Sequence, residues 1–252
     1  MTQESYEMNL WWGSRQESVE ACAPRLVRFL NDLAATDATF SDWRKGGWGG
    51  KGIYRPYCAL PLTIEEANRL LDKGREYYDT SPRELWPEMG FGTGAWNGRD
   101  DDYYAGFKVH AGLYDTDNPH CNAVSVDISK RRRLDETPWS AEAVRALLAF
   151  AIDVWKPREA SVDCRRYVSF LPEIEDKSYA MGSKLLTPWV GWLTYLPADL
   201  AASVTIPPNV GIERLEDGGL IATLCEEPFT IDNPVHMARA RVLEAAIRPV
   251  QS

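Results

Sequence analysis

Residues Val190 to Ala240 constrain the fold most, because strand signals and a helix start follow one another there in an order that leaves few architectures open. Trp192, Thr194 and Leu196 alternate with Leu193 and Tyr195 in a β-prone run that Pro197 closes. After a Gly218-Gly219 turn, Leu220, Ala222 and Leu224 alternate again, so a second strand is expected. Asn233-Pro234 then reads as a helix start. An asparagine side chain caps orphan amides, and a proline at the first helical position lacks only an N–H that had no partner. That helix is expected to run through Ala240, Leu243 and Ile247 and to stop at Pro249. This end of the chain is therefore read as strands with a helix laid over them.

The rest of the chain adds elements of the same two kinds. Tyr6, Met8, Leu10 and Trp12 alternate as a half-buried first strand. Ser14 and Glu17 have capping-box spacing, and Val19, Cys22, Ala23, Leu26, Leu30 and Leu33 then recur at helical intervals. Pro24 is expected to kink this helix or to restart it, and a restart would leave residues 14–22 as a separate turn. Ile53 to Leu60 reads as a strand. Thr63 and Glu66 form a second capping box, with Ala67, Leu70 and Leu71 facing inward. Phe107, Val109, Ala111 and Leu113 alternate, as do Val124, Val126 and Ile128, which predicts an antiparallel pair joined by the DTDNPHCN loop. Ser140 opens a third helix with an inner stripe of Val144, Leu147, Leu148 and Ala151, stopped by Pro157, and a short strand is expected over Ala160 to Cys164. The fold class is α+β: antiparallel strands in one or two sheets, with about four helices packed against them. A single compact unit over residues 1–252 is expected, with two intimate halves, 1–135 and 136–252, as the other division; no residue-level repeat supports a duplication.

Two glycine-rich stretches invite a functional reading. KGGWGGKG, ending at Gly52, fails as a phosphate loop, because three residues separate its glycines where four are needed and a glycine follows Lys51 where a Ser or Thr would reach magnesium. It reads as a surface loop carrying Trp48. In GFGTGAWNGRDDDYY, the glycines at 90, 92, 94 and 98 argue against regular structure. Trp96, Asp100, Asp101, Asp102, Tyr103 and Tyr104 give this loop an acidic and aromatic face. Charge on such a loop steers a basic protein partner, and the rings supply anchoring area, so these six residues are the candidate partner-binding set.

Other chemistries find little support. A formal charge of −9 argues against a nucleic-acid binder, and the KRRR run from Lys130 to Arg133 reads as a solvated turn at the end of a strand. The three histidines, His110, His120 and His236, give one close soft-ligand pair, His120-Cys121, which lacks partners for a zinc site. His236, near a helix start, reads as a packing residue. Three consecutive aspartates lack the alternate spacing of a calcium loop. No metal and no cofactor are expected. The five cysteines are scattered without a CxxC, which suits reduced thiols, and the ten tryptophans are read mainly as core. MTQESYEMNLWWG does not have the form of a secretory leader, and no apolar run approaches the ~18 residues that span a membrane, so a cytosolic protein without membrane contacts is expected. One enzymatic alternative stands. Asp163, Glu175 and Lys177 have the composition of a magnesium nuclease site, in which the carboxylates hold the metal and the lysine polarises the attacking water.

The run GWLTYLP, the later DGG with apolar residues after it, and the closing Asp232, Asn233, Pro234, His236, Ala240 and Arg241 pattern resemble the immunity protein 52 family of bacterial polymorphic-toxin systems. A Trp-rich first strand, a helix carrying Cys22-Ala23 and Phe29-Leu30, and then Phe40 and Trp43 are similar as well. The resemblance implies a non-enzymatic protein that binds a cognate toxin domain inside the producing cell and neutralises it. The toxin class it implies is a restriction-endonuclease-like nuclease delivered by type VI secretion. A nuclease built on Asp163, Glu175 and Lys177 and an assembly or adaptor protein are the alternatives.

Overall fold

A computed structural model of the chain describes residues 4–45, 55–98, 104–115, 122–129, 140–170 and 190–248. In chain order the elements are β1 (Tyr6–Trp12), α1 (Val19–Thr36), β2 (Arg44–Lys45), β3 (Arg55–Pro56), α2 (Ile64–Asp72), β4 (Phe91–Trp96), β5 (Gly106–Ala111) and β6 (Asn122–Ser129). They continue as α3 (Ala141–Trp155), β7 (Glu159–Cys164), α4 (Arg165–Phe170), β8 (Leu193–Leu196), α5 (Ala198–Ala201), β9 (Gly211–Arg214), β10 (Leu220–Thr223) and α6 (Pro234–Ile247). All the described strands join one sheet, in the order β3-β2-β4-β5-β6-β1-β7-β8-β10-β9, and every neighbouring pair is antiparallel. The α+β reading therefore holds, with one sheet. β1 is its centre: Met8 lies opposite Val126 on one side and Val162 on the other.

Alternation along β1 sends Tyr6, Met8, Leu10 and Trp12 to one face, where α1 and α3 pack. Trp12 stacks on Trp155 of α3 at 5.9 Å, and Phe29 of α1 meets the same indole edge-on at 5.7 Å. These large rings fill part of the layer between sheet and helices. At the far side, Trp192 Nε1 donates to the Cys225 carbonyl and Tyr6 donates to the Phe229 carbonyl, which joins the first strand to the C-terminal segment. The four described cysteines, Cys22, Cys58, Cys164 and Cys225, are free thiols.

Local signals placed several helix starts correctly. Thr63 accepts the Glu66 amide, Ser140 accepts the Ala143 amide, and Asn233 accepts the Val235 amide ahead of Pro234. α1 departs from expectation: Ser18, not Ser14, is its cap, and the helix runs unbroken through Pro24. Pro24 lies in the second turn, so the helix forgoes one early hydrogen bond there and keeps its buried stripe. Ser14 instead donates to the Tyr114 carbonyl. The glycine-rich segment also departs from expectation, since β4 is regular despite Gly92 and Gly94. A Cβ on Gly94 would lie 2.8 Å from the Phe107 carbonyl oxygen, so the strand needs glycine for close approach. The Gly218-Gly219 turn joins β10 to β9, an edge strand the sequence reading lacked. Of the strand expected over Ile53 to Leu60, residues 55–60 are described and only Arg55–Pro56 is strand; Tyr57 to Leu60 are not. Residues 46–52 of the KGGWGGKG stretch, His120, Cys121 and Lys130 to Arg133 lie outside the described residues.

Candidate partner-binding site

β4 and β5 form a hairpin whose register runs from Phe91 opposite Ala111 to Trp96 opposite Gly106. The ladder continues one step further, where Asn97 N–H donates to the Ala105 carbonyl at 2.9 Å. That register brings Trp96 and Tyr104 together across the strands, with ring centroids 6.0 Å apart and planes tilted by 35°. Both side chains are part-exposed. Asp100, Asp101, Asp102 and Tyr103 fall between them in sequence and lie outside the described residues. Of the six predicted site residues, the structure thus brings two into contact at the hairpin end.

A polar layer lies behind these rings. The Tyr104 hydroxyl is hydrogen-bonded to the Asp127 carboxylate, and burial, followed by the Asp127 charge, raises its pKa. Gly106 makes this crossing feasible: a Cβ there would lie 2.9 Å from Asp127 Oδ2 and 3.2 Å from the Tyr104 hydroxyl oxygen. Arg165, at the start of α4, donates to Asp127 at 2.7 Å and pairs with Glu7 of β1 at 3.2 Å. Burial raises the pKa of Glu7, and the Arg165 charge opposes that rise. One guanidinium therefore holds two neighbouring carboxylates under the hairpin end, a charge-assisted arrangement that fixes Tyr104 from below.

The polar strip continues along the sheet face away from α1 and α3. Glu7 lies opposite Asp163, and Asn9 opposite Ser161. Asp163 Oδ2 accepts from Asn9 Nδ2 at 3.2 Å and from Ser161 Oγ at 2.8 Å. Glu159, on the same face, is 4% exposed, and burial pushes its carboxyl up to about 8 against the opposing charge of Arg158. Glu175 and Lys177 of the nuclease alternative lie outside the described residues. Among the described residues no group of three His, Cys, Asp or Glu side chains is arranged to hold a metal ion. No described helix is long and apolar enough to cross a membrane.

The sequence reading took the stretch from Gly90 to Tyr104 for a loop and named no residue that supports it. Glu7, Asp127 and Arg165 come from three distant parts of the chain, and only strand pairing puts them side by side. Gly106, the residue just before the Phe107 alternation, was the one local sign of a close approach.

No curated protein sequence matches this chain. Among solved structures it is similar to one described as Pseudomonas aeruginosa T6SS protein PA0821, with a TM-score of 0.61 and 10% identity, covering 97% of this chain and 72% of that one. At that identity the likeness is one of fold. The sequence pattern of immunity protein 52 matches residues 4–249, and the chain belongs to that family.

Proposed function

We propose that this chain neutralises a cognate toxin domain by binding it stoichiometrically, without catalysis, through the face that the sequence assigns to Trp96, Asp100, Asp101, Asp102, Tyr103 and Tyr104. Family membership over residues 4–249 is the observation that carries the reading. The geometry supports the choice of face. Trp96 and Tyr104 are part-exposed aromatics on a paired hairpin, and hot spots draw on rings of this kind held in place before binding. The toxin class we favour is a restriction-endonuclease-like nuclease used in type VI secretion. A nuclease presents a basic substrate groove, and an acidic chain of net charge −9 complements it. A standard interface would bury on the order of 1,600 Å² in total.

Co-expression with the toxin it protects against tests this reading. The expected result is suppressed toxicity, a complex of fixed stoichiometry, and slower association with a flatter salt dependence once Asp100, Asp101 and Asp102 are all changed to Asn. Unchanged association kinetics in that variant would show the face to be wrong. Metal-dependent DNA cleavage by the chain itself, abolished by Glu175→Ala, would replace the binding reading with the enzymatic one.

A further inference from the structure

Between α2 and β4 the chain forms a small projecting arm whose apolar surface the fold does not use. Its two sides are joined by Trp86 N–H to the Glu76 carbonyl and by Tyr78 N–H to the Glu84 carbonyl, both 2.9 Å, with Tyr77 opposite Leu85. At its base, Glu76 N–H donates to the Gly90 carbonyl and Gly92 N–H to the Gly74 carbonyl. The Gly74 contact is so close that a Cβ there would lie 1.6 Å from the Gly92 carbonyl oxygen. The arm is therefore anchored to the edge of β4 by backbone bonds, independently of its side chains.

Those side chains are large, apolar and exposed. Tyr77 and Tyr78 are each 37% exposed and Leu85 is 40% exposed. Tyr78 and Trp86 stack on each other at 4.7 Å with planes 15° apart. Self-stacking explains that pair as support for the arm, but it leaves Tyr77 and Leu85 facing solvent. Leu85 and Pro87 line an open cavity of about 310 Å³ with Glu17, Ser18, Phe91 and Tyr114 of the body, and Leu85 stays 40% exposed beside it. Isolated exposed rings need no explanation, whereas several gathered on one rigid projection mark a contact surface.

The charge around the stack indicates what it contacts. Glu84 lies across the arm from Tyr78, whose N–H its carbonyl accepts; burial first, and then the Glu88, Asp115 and Glu84 charges, raise the pKa of the Tyr78 hydroxyl. The arm's two cations are already engaged: Arg75 pairs with Asp72 at 2.6 Å, and the Arg83 guanidinium lies 4.7 Å from the Tyr77 ring centre. An aromatic stack rimmed by carboxylates suits a cationic side chain, which gains both the ring faces and the negative rim.

We propose that this arm is a second anchoring surface, where Tyr78 and Trp86 receive an Arg or Lys side chain of the basic toxin domain and Glu84 closes over it. The proposal rests on the neutralisation reading but is separate from the hairpin-end face, since the arm joins β4 at Phe91 and that face begins at Trp96, the opposite end of the strand. The probe is the purified toxin domain whose killing the unaltered chain suppresses on co-expression, with association and dissociation followed by surface plasmon resonance. Tyr78→Ala with Trp86→Ala should speed dissociation by about 30-fold, as expected for a hot-spot pair. Glu84→Gln, an exposed change that leaves the rings in place, should slow association by about 3-fold. Glu84→Gln also guards against a trivial loss of the arm, because it alters charge and no packing. If the unaltered chain binds and both variants match it, the arm is excluded and the neutralisation reading stands. If the unaltered chain binds no such domain, both fall.

Discussion

His236 Nε2 lies 2.9 Å from Glu227 Oε1, at the point where α6 meets the segment leading into it. Nδ1 of the same ring accepts the Thr230 amide at 3.1 Å. Because Nδ1 accepts, the ring proton resides on Nε2 and is donated to the carboxylate. Phe229 stacks on the imidazole at 5.6 Å. His236 thus pins the loop before α6, a packing role in keeping with its place near a helix start.

His236→Ala should cost about 2–4 kcal/mol, measured by urea unfolding, because it removes a buried ring and leaves the Thr230 N–H without a partner. The Glu227 pKa is lowered chiefly by the His236 bond. A depressed carboxylate contributes stability above its ordinary range and loses it as pH falls through the folded value, so the variant should also show a shallower acid-side decline.

Arg166 joins both ends of the chain. It donates to Glu4 at 2.8 Å and to both Asp232 oxygens at 2.9 Å, while Thr230 Oγ1 also donates to Glu4. Glu4 is buried. Arg166→Ala should destabilise by about 2–4 kcal/mol by leaving that carboxylate without its cation, and adding Glu4→Gln should recover part of the loss. Full additivity of the two changes in thermal unfolding would contradict the coupling.

Glu159 gives a dependence of the opposite sign. Its folded-state value of about 8 lies above the ordinary carboxyl range, so the stability linked to its neutral form is complete at low pH and lost as pH rises towards 8. Glu159→Gln should be near neutral at pH ~5 and stabilising by on the order of 3 kcal/mol at pH ~9. Parallel pH profiles for variant and parent would contradict this.

Gly106→Ala places a methyl group between Tyr104 and Asp127. It should cost about 1–2 kcal/mol and separate the two side chains. If the hairpin end is the toxin-binding face, dissociation should quicken in the same variant, as read by surface plasmon resonance against the co-expressed toxin domain.

Elements whose signal is local were legible in the sequence alone. Thr63, Ser140 and Asn233 announce their helices because a cap acts within three residues, and the inward stripe of α3 repeats at the helical period. The aromatic and acidic composition of the hairpin end was visible for the same reason. Tertiary structure decided everything that depends on distant partners. β1 became the centre of the sheet because β6 and β7 both pair with it, and alternation reports a buried face without naming the neighbour. Ser14 turned outward to Tyr114, which left Ser18 to cap α1. Gly92 and Gly94 became strand residues because β5 pairs along them, overriding their weak β-propensity. The support beneath Tyr104 and the exposure of the Tyr77–Trp86 arm follow from pairing and burial, which act between residues far apart in sequence and leave no periodic trace along the chain.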